Sequence, residues 1–162
     1  MAVLYTLCVH CKIEQMRPTA SQRKKLYALL HAIVRLRDGP RCLRHGGTDR
    51  LQMSHIYPKG RHKLMEFLTI NVKLLCPDCH AWWHANPAKA REWLKTAIPV
   101  ERQKKLRLVS QTYLGPFDAK RSILGLEQEL DLYESGHVAM GATKQKVPPS
   151  CKILQTSAQG HL

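Results

Sequence analysis

Two short knuckles constrain this chain more than anything else in it. Cys76-Pro-Asp-Cys79 carries the two-residue gap that lets both sulfurs reach one metal ion from a tight turn. Upstream, Cys42-Leu-Arg-His45-Gly46-Gly47 repeats the gap with histidine in the second place. Two such pairs predict a tetrahedral structural zinc site of three cysteines and one histidine: Cys42, His45, Cys76 and Cys79. His62 and His80 are alternatives for the fourth place. A zinc ion here would clamp the knuckles to whatever follows them and offset the small size of the core. Cys8 and Cys11 form a third pair, with His10 between them but no partner pair; a minor site, an intermolecular site and no site are all open, and the expectation is no site.

Thiols at such spacing read as metal ligands rather than as a disulfide framework. The start of the chain, Met1 to Cys11, has no cationic region followed by a long apolar core, and no apolar run is long enough for a membrane helix. A cytoplasmic location and no membrane partner are the expectations.

Around the knuckles the pattern is one of short elements. A basic amphipathic helix is predicted from an N-cap at Thr19 or Ser21 to about Arg37, ended by Asp38-Gly39-Pro40. Its apolar face is Leu26, Leu29, Leu30, Ile33, Val34 and Leu36. Strands are predicted at 50–56 and 71–75, with a Lys-, Arg- and Gly-rich loop between them. A helix should start near Pro77, another should run over 87–97 behind Asn86-Pro87, and two more should cover 100–112 and 118–134. The chain thus divides into an N-terminal segment with its helix (1–37), a core (38–97), a helical extension (98–134) and a tail (135–162) whose composition predicts disorder.

Charge indicates the partner. Lys and Arg number 26 against 12 Asp and Glu, for a net charge of +14. A polyanion relieves the self-repulsion of such a chain by releasing its own counterions, which makes nucleic acid the leading candidate. Lys59, Arg61, His62 and Lys63 crowd one loop, and of these Lys59, Arg61 and Lys63 are candidate phosphate contacts, Arg61 first because a guanidinium binds bidentately. A further basic series, Lys89, Arg91, Lys95, Arg102, Lys104, Lys105 and Arg107, suits either a solvated helix face or backbone binding.

His80 and His84 stand four residues apart on the helix that starts at the second knuckle, so both imidazoles share one face and can grip one cation. The run RDGPRCLRHGGTDRLQMSHIYPKG, followed by INVKLLCPDCHAWWHANP, resembles the HNH endonucleases of the ββα-metal class, above all the zinc-containing members of bacteriophages and mobile elements. The resemblance covers roughly residues 37–95. In that family a His follows a strand, an Asn opens the next strand, and CxxCH precedes a further His; His55, Asn71, Cys76, Cys79, His80 and His84 stand in that order here.

The resemblance implies an α+β fold, a small ββα-metal core with a structural zinc site flanked by helices, and a hydrolase that cuts DNA. It makes His55 the general base, Asn71 the brace of the loop that carries His55, and His80 and His84 the ligands of a catalytic divalent ion (Mg2+, Mn2+ or Ni2+). Such chemistry needs an activated water and a Lewis acid on the phosphate oxygens. The family usually places Asp or a second His immediately before the base, whereas this chain has Ser54, a poor ligand. A zinc-dependent nucleic-acid-binding module of the same fold without catalysis is therefore the alternative. Cutting both strands would call for a homodimer, and the bacteriophage relatives suggest a phage or recombination partner. Trp82 and Trp83, between the paired histidines, are expected to pack as core.

Overall fold

The computed structural model describes residues 17–112 and 117–137. Cys8, Cys11, Cys151 and nearly all of the tail lie outside the described residues.

Helix α1 (Ala20–Asp38) starts at a capping box: the Thr19 hydroxyl accepts from Gln22 N at 3.2 Å and Gln22 Oε1 accepts from Thr19 N at 2.9 Å. Gly39, at φ 77°, ends it in a conformation that favours glycine. A two-stranded antiparallel hairpin follows, β1 (Gln52–His55) and β2 (Val72–Leu75), in the register Gln52↔Leu75, Met53↔Leu74, Ser54↔Lys73 and His55↔Val72. Both strands are shorter than the sequence suggests. Arg50 sits at φ 43°, outside the β region, and Thr69–Asn71 form a 3-10 turn, so Asn71 precedes β2 rather than lying in it. Helices α2 (Pro77–Ala85), α3 (Pro87–Ala97), α4 (Val100–Gln111) and α5 (Ala119–Glu134) complete the chain. Prolines at the first turn of α2 and α3 start each helix where a missing N–H costs nothing.

Helix α1 is buried on two sides. Leu26 and Ile33 pack with Phe67, Leu126 and Tyr133, against α5. Leu30 and Val34 pack with Val72 and Leu74 of β2. The period of two then turns Lys73 and Leu75 to the opposite face of the hairpin, where Leu75 joins Cys42, Cys76 and Cys79, and Lys73 lies against Trp83 of α2. The result is an α+β arrangement with a small sheet sandwiched between α1 and the cysteine-rich side. No helix among the described residues is long and apolar enough to cross a membrane.

Arg102 does not belong to a solvated basic face: it is 9% exposed, and its guanidinium donates to Ile70 O at 2.9 Å and Val72 O at 2.6 Å. Asp38 lies 3.5 Å away as counter-charge. From the other side Arg37 donates to Thr69 O at 2.6 Å and Val72 O at 2.8 Å. Two guanidiniums thus satisfy the carbonyls that flank Asn71.

Candidate metal centre and cleft

The first knuckle is a closed turn. Gly46 N donates to Cys42 O at 2.8 Å, and Cys42 N donates to Gly47 O at 2.7 Å. Gly46 takes φ 81°. The His45 ring lies across Gly47 so closely that a Cβ there would stand 2.5 Å from His45 Nε2 and would force the ring to move. Leu43 N donates to Leu74 O at 2.8 Å and ties the knuckle to β2. The second knuckle doubles as a helix cap: Cys76 precedes α2, and its sulfur accepts from Cys79 N at 3.4 Å.

Folding brings all four predicted ligands together. The ligand atoms of Cys42, His45, Cys76 and Cys79 lie within 4.8 Å of one another. His45 Nδ1 is 3.4 Å from the Cys79 sulfur and 3.7 Å from that of Cys76. Tetrahedral zinc, with bonds of about 2.0–2.3 Å, asks for ligand atoms roughly 3.5–4 Å apart. The three thiols are free and buried. Burial first, then the neighbouring sulfurs, push the Cys79 thiol up to about 12, against a lowering by Arg44. A divalent cation is the partner that relieves this, by holding the sulfurs as thiolates. These four residues could therefore hold a structural metal such as zinc. Arg44 also stacks its guanidinium 3.8 Å over Trp82. Trp82 and Trp83 both pack against Trp93 and are half-buried.

His55, at the end of β1, faces a separate cleft of about 970 Å³, which His80 and His84 also line. Its Nε2 lies 2.9 Å from Glu66 O. A carbonyl only accepts, so Nε2 carries the hydrogen and Nδ1 is left as the basic nitrogen. Burial pushes the ring's pKa below 6.5, helped by the Lys59 charge and opposed by the Glu66 carbonyl. One turn of α2 separates His80 and His84, whose ring centroids are 5.0 Å apart. Gln52 Oε1, 2.8 Å from His80 Nδ1, accepts that hydrogen and leaves His80 Nε2 basic. His80 is likewise held below 6.5, by burial first and then by the positive charge of His84 and Lys73.

Asn71, 0% exposed, spends its carboxamide on backbone. Tyr57 N donates to its Oδ1 at 2.8 Å, while its Nδ2 donates to Tyr57 O at 3.2 Å and Met65 O at 3.0 Å. It thereby closes the loop 58–64 at both ends, one side following His55 and the other preceding Glu66.

Lys59 and Arg61 line the His55 cleft together with Arg91 and Arg107, and no Asp or Glu is among the described residues that do so. Lys63 does not reach it; it lies on the other side of the loop. Ser54 does not line the cleft either. It is 0% exposed, turned toward α2, and its hydroxyl accepts from Lys73 Nζ at 3.2 Å. Lys73 Nζ also sits 3.3 Å from the centroid of the Trp83 ring. Burial, with Arg102 adding repulsion, lowers the Lys73 pKa from 10.5 to about 6. Sequence reasoning missed Lys73, Gln52 and Glu66. Lys73 had one signal, as the only charged residue in the apolar run Val72-Lys73-Leu74-Leu75.

No family model, curated protein or solved structure matches the chain.

Proposed function

We propose that this protein is a metal-dependent endonuclease that hydrolyses phosphodiester bonds in DNA, in the manner of the HNH nucleases its sequence resembles. The observation that carries the reading is the convergence of His55, His80 and His84 on one cleft whose charged lining is entirely cationic. His55 presents Nδ1 as a neutral base at cellular pH, and the Glu66 carbonyl fixes its tautomer and orientation. Asn71 holds the loop that connects these two residues. Lys59 and Arg61 offer charge to the phosphates on either side of the cut. His80 and His84 would hold a divalent ion (Mg2+, Mn2+ or Ni2+), which supplies Lewis acidity toward the phosphate oxygens. Zinc at the cysteine site would be structural, holding α2 and with it the two histidines.

One observation favours a second reading, a zinc-dependent DNA-binding module without catalysis. Where the family carries an acidic or histidine ligand, Ser54 is buried against Lys73 and contributes nothing to the cleft.

The deciding experiment is plasmid nicking by wild type and His55→Ala in EDTA, then with Mg2+, Mn2+ or Ni2+. The nuclease reading expects metal-dependent nicking by wild type alone. DNA binding by folded, zinc-loaded protein with no cutting under any ion would sink it in favour of the binding module. Sedimentation with and without DNA tests the homodimer that cutting both strands would need; a phage or recombination partner belongs to the same proposal.

A further inference from the structure

The loop at 58–63 has two sides. Away from His55, a second cleft of about 850 Å³ opens between this loop and the end of α4. Lys59, Gly60 and Arg61 line both clefts, so the loop is the wall between them. Arg17, Arg23 and Lys63 bring further positive charge to the second cleft, against one carboxylate, Glu66. That carboxylate is already engaged by Arg23 and by the Tyr27 hydroxyl. Phe117, partly exposed, supplies an aromatic lining; Phe67, 5.5 Å away between ring centroids, is buried in the core beneath the Arg23 guanidinium. These cations come from the start of α1 and from the loop, segments far apart in sequence. Carboxylates gather elsewhere, with Glu127, Glu129, Asp131 and Glu134 all on α5.

We propose that the second cleft binds a single-stranded stretch of DNA flanking the phosphodiester seated in the His55 cleft, with the strand crossing the wall at Gly60. The proposal rests on the nuclease reading and extends its substrate. The cleft has the size of a small-ligand pocket, room for a few nucleotides but not for a duplex. Cations beside an accessible aromatic ring, here Phe117, are what unpaired bases and their phosphates select. At Gly60 the wall carries no side chain, and a Cβ there would meet nothing within 4 Å, so the crossing point is open.

The test uses the full-length His55→Ala chain, loaded with zinc, and fluorescence anisotropy in buffer free of chelator and of added divalent ion. Three probes are compared: a blunt duplex of about 12 base pairs, the same duplex with a single-stranded extension of about 8 nucleotides at either end, and one lengthened by about 8 base pairs of duplex. One polarity of single-stranded extension is expected to bind about tenfold tighter than the blunt probe, with a steeper salt dependence. Combining Lys63→Gln with Ser110→Glu, both in the second cleft, should shrink that gain to below about threefold. A blunt probe that binds well while neither single-stranded extension helps, or a duplex extension that helps as much, overturns the second cleft and leaves the nuclease reading standing. An extension gain that survives the double substitution overturns it too. No binding of any probe by the folded protein overturns both.

Discussion

The carboxamide of Asn71 clasps the backbone of Tyr57 from both sides, accepting from its N–H at 2.8 Å and donating to its carbonyl at 3.2 Å. This two-way bond lies two residues beyond His55 and makes the position of that ring depend on a side chain from the far end of the connecting loop.

Asn71→Ala removes the hydrogen bonds to the half-buried Tyr57 N–H and carbonyl and one of the two donors to Met65 O. We expect a loss of about 2–4 kcal/mol of stability, and nicking slowed about 10–100-fold at a temperature where the variant stays folded. Zinc content should not change, because the knuckles are tied to Leu74 and not to Asn71. Thermal melts, elemental analysis and plasmid nicking check the three parts separately, and full activity would show that the loop does not need its clasp.

The pH profile of nicking should report His55. Burial disfavours the cationic ring, so its pKa lies below 6.5 and the neutral base persists to lower pH than for an exposed histidine. Activity is expected to rise with pH to a plateau, with the midpoint of the acid limb below 6.5. A midpoint above that value would contradict the burial of the base.

Metal analysis should find about one tightly held zinc per chain. Cys79→Ser should lose it and melt at lower temperature. Gly47→Ala should also weaken zinc retention, since the new methyl group would occupy the place of the His45 ring. A folded, metal-free wild type would end the knuckle argument.

Lys73 gives a stability test with a definite sign. Its pKa is about 6 in the folded chain and 10.5 ordinarily, so between these values the unfolded chain binds the additional proton. The lysine therefore costs nothing above about pH 10.5, and its cost grows as pH falls toward 6 and then levels off. Lys73→Met should stabilise the protein by about 1–3 kcal/mol at pH 7, with the gain shrinking as pH rises. Denaturant unfolding across pH would show it; a variant destabilised at pH 7 would mean that the bonds to Ser54 and Trp83 outweigh burial of the charge.

Most elements could be read from the sequence because their ends are marked locally: Thr19 and Gln22 cap α1, Pro77 and Pro87 open α2 and α3, and Gly39 stops α1. The four-residue metal cluster was legible for a similar reason, since the gap within each knuckle fixes the reach of its ligands. What was hidden depends on segments meeting. Arg102 looks like any helix-surface arginine until the carbonyls of Ile70 and Val72 come within its reach. The partner of His55 is a main-chain oxygen, and Glu66 O leaves no trace in the choice of amino acid. The shortening of β2 likewise came from a 3-10 turn whose carbonyls are paid in guanidinium hydrogen bonds from Arg37 and Arg102.

Helix α2 carries Cys76 at its cap, Cys79 in its first turn, and His80 and His84 within the next. Nine residues of helix are marginal in water on their own. Besides that short helix and the Gln52 contact, the packing of Trp82 and Trp83 against Trp93 and the gathering of the thiols hold the two imidazoles at their spacing. If the thiols take zinc, an order in time would follow: a newly made chain without the metal would present its histidines on a helix less firmly held. The metal that performs no chemistry would then be the one that decides when chemistry can begin, and a cell short of zinc would carry the protein in an unarmed form.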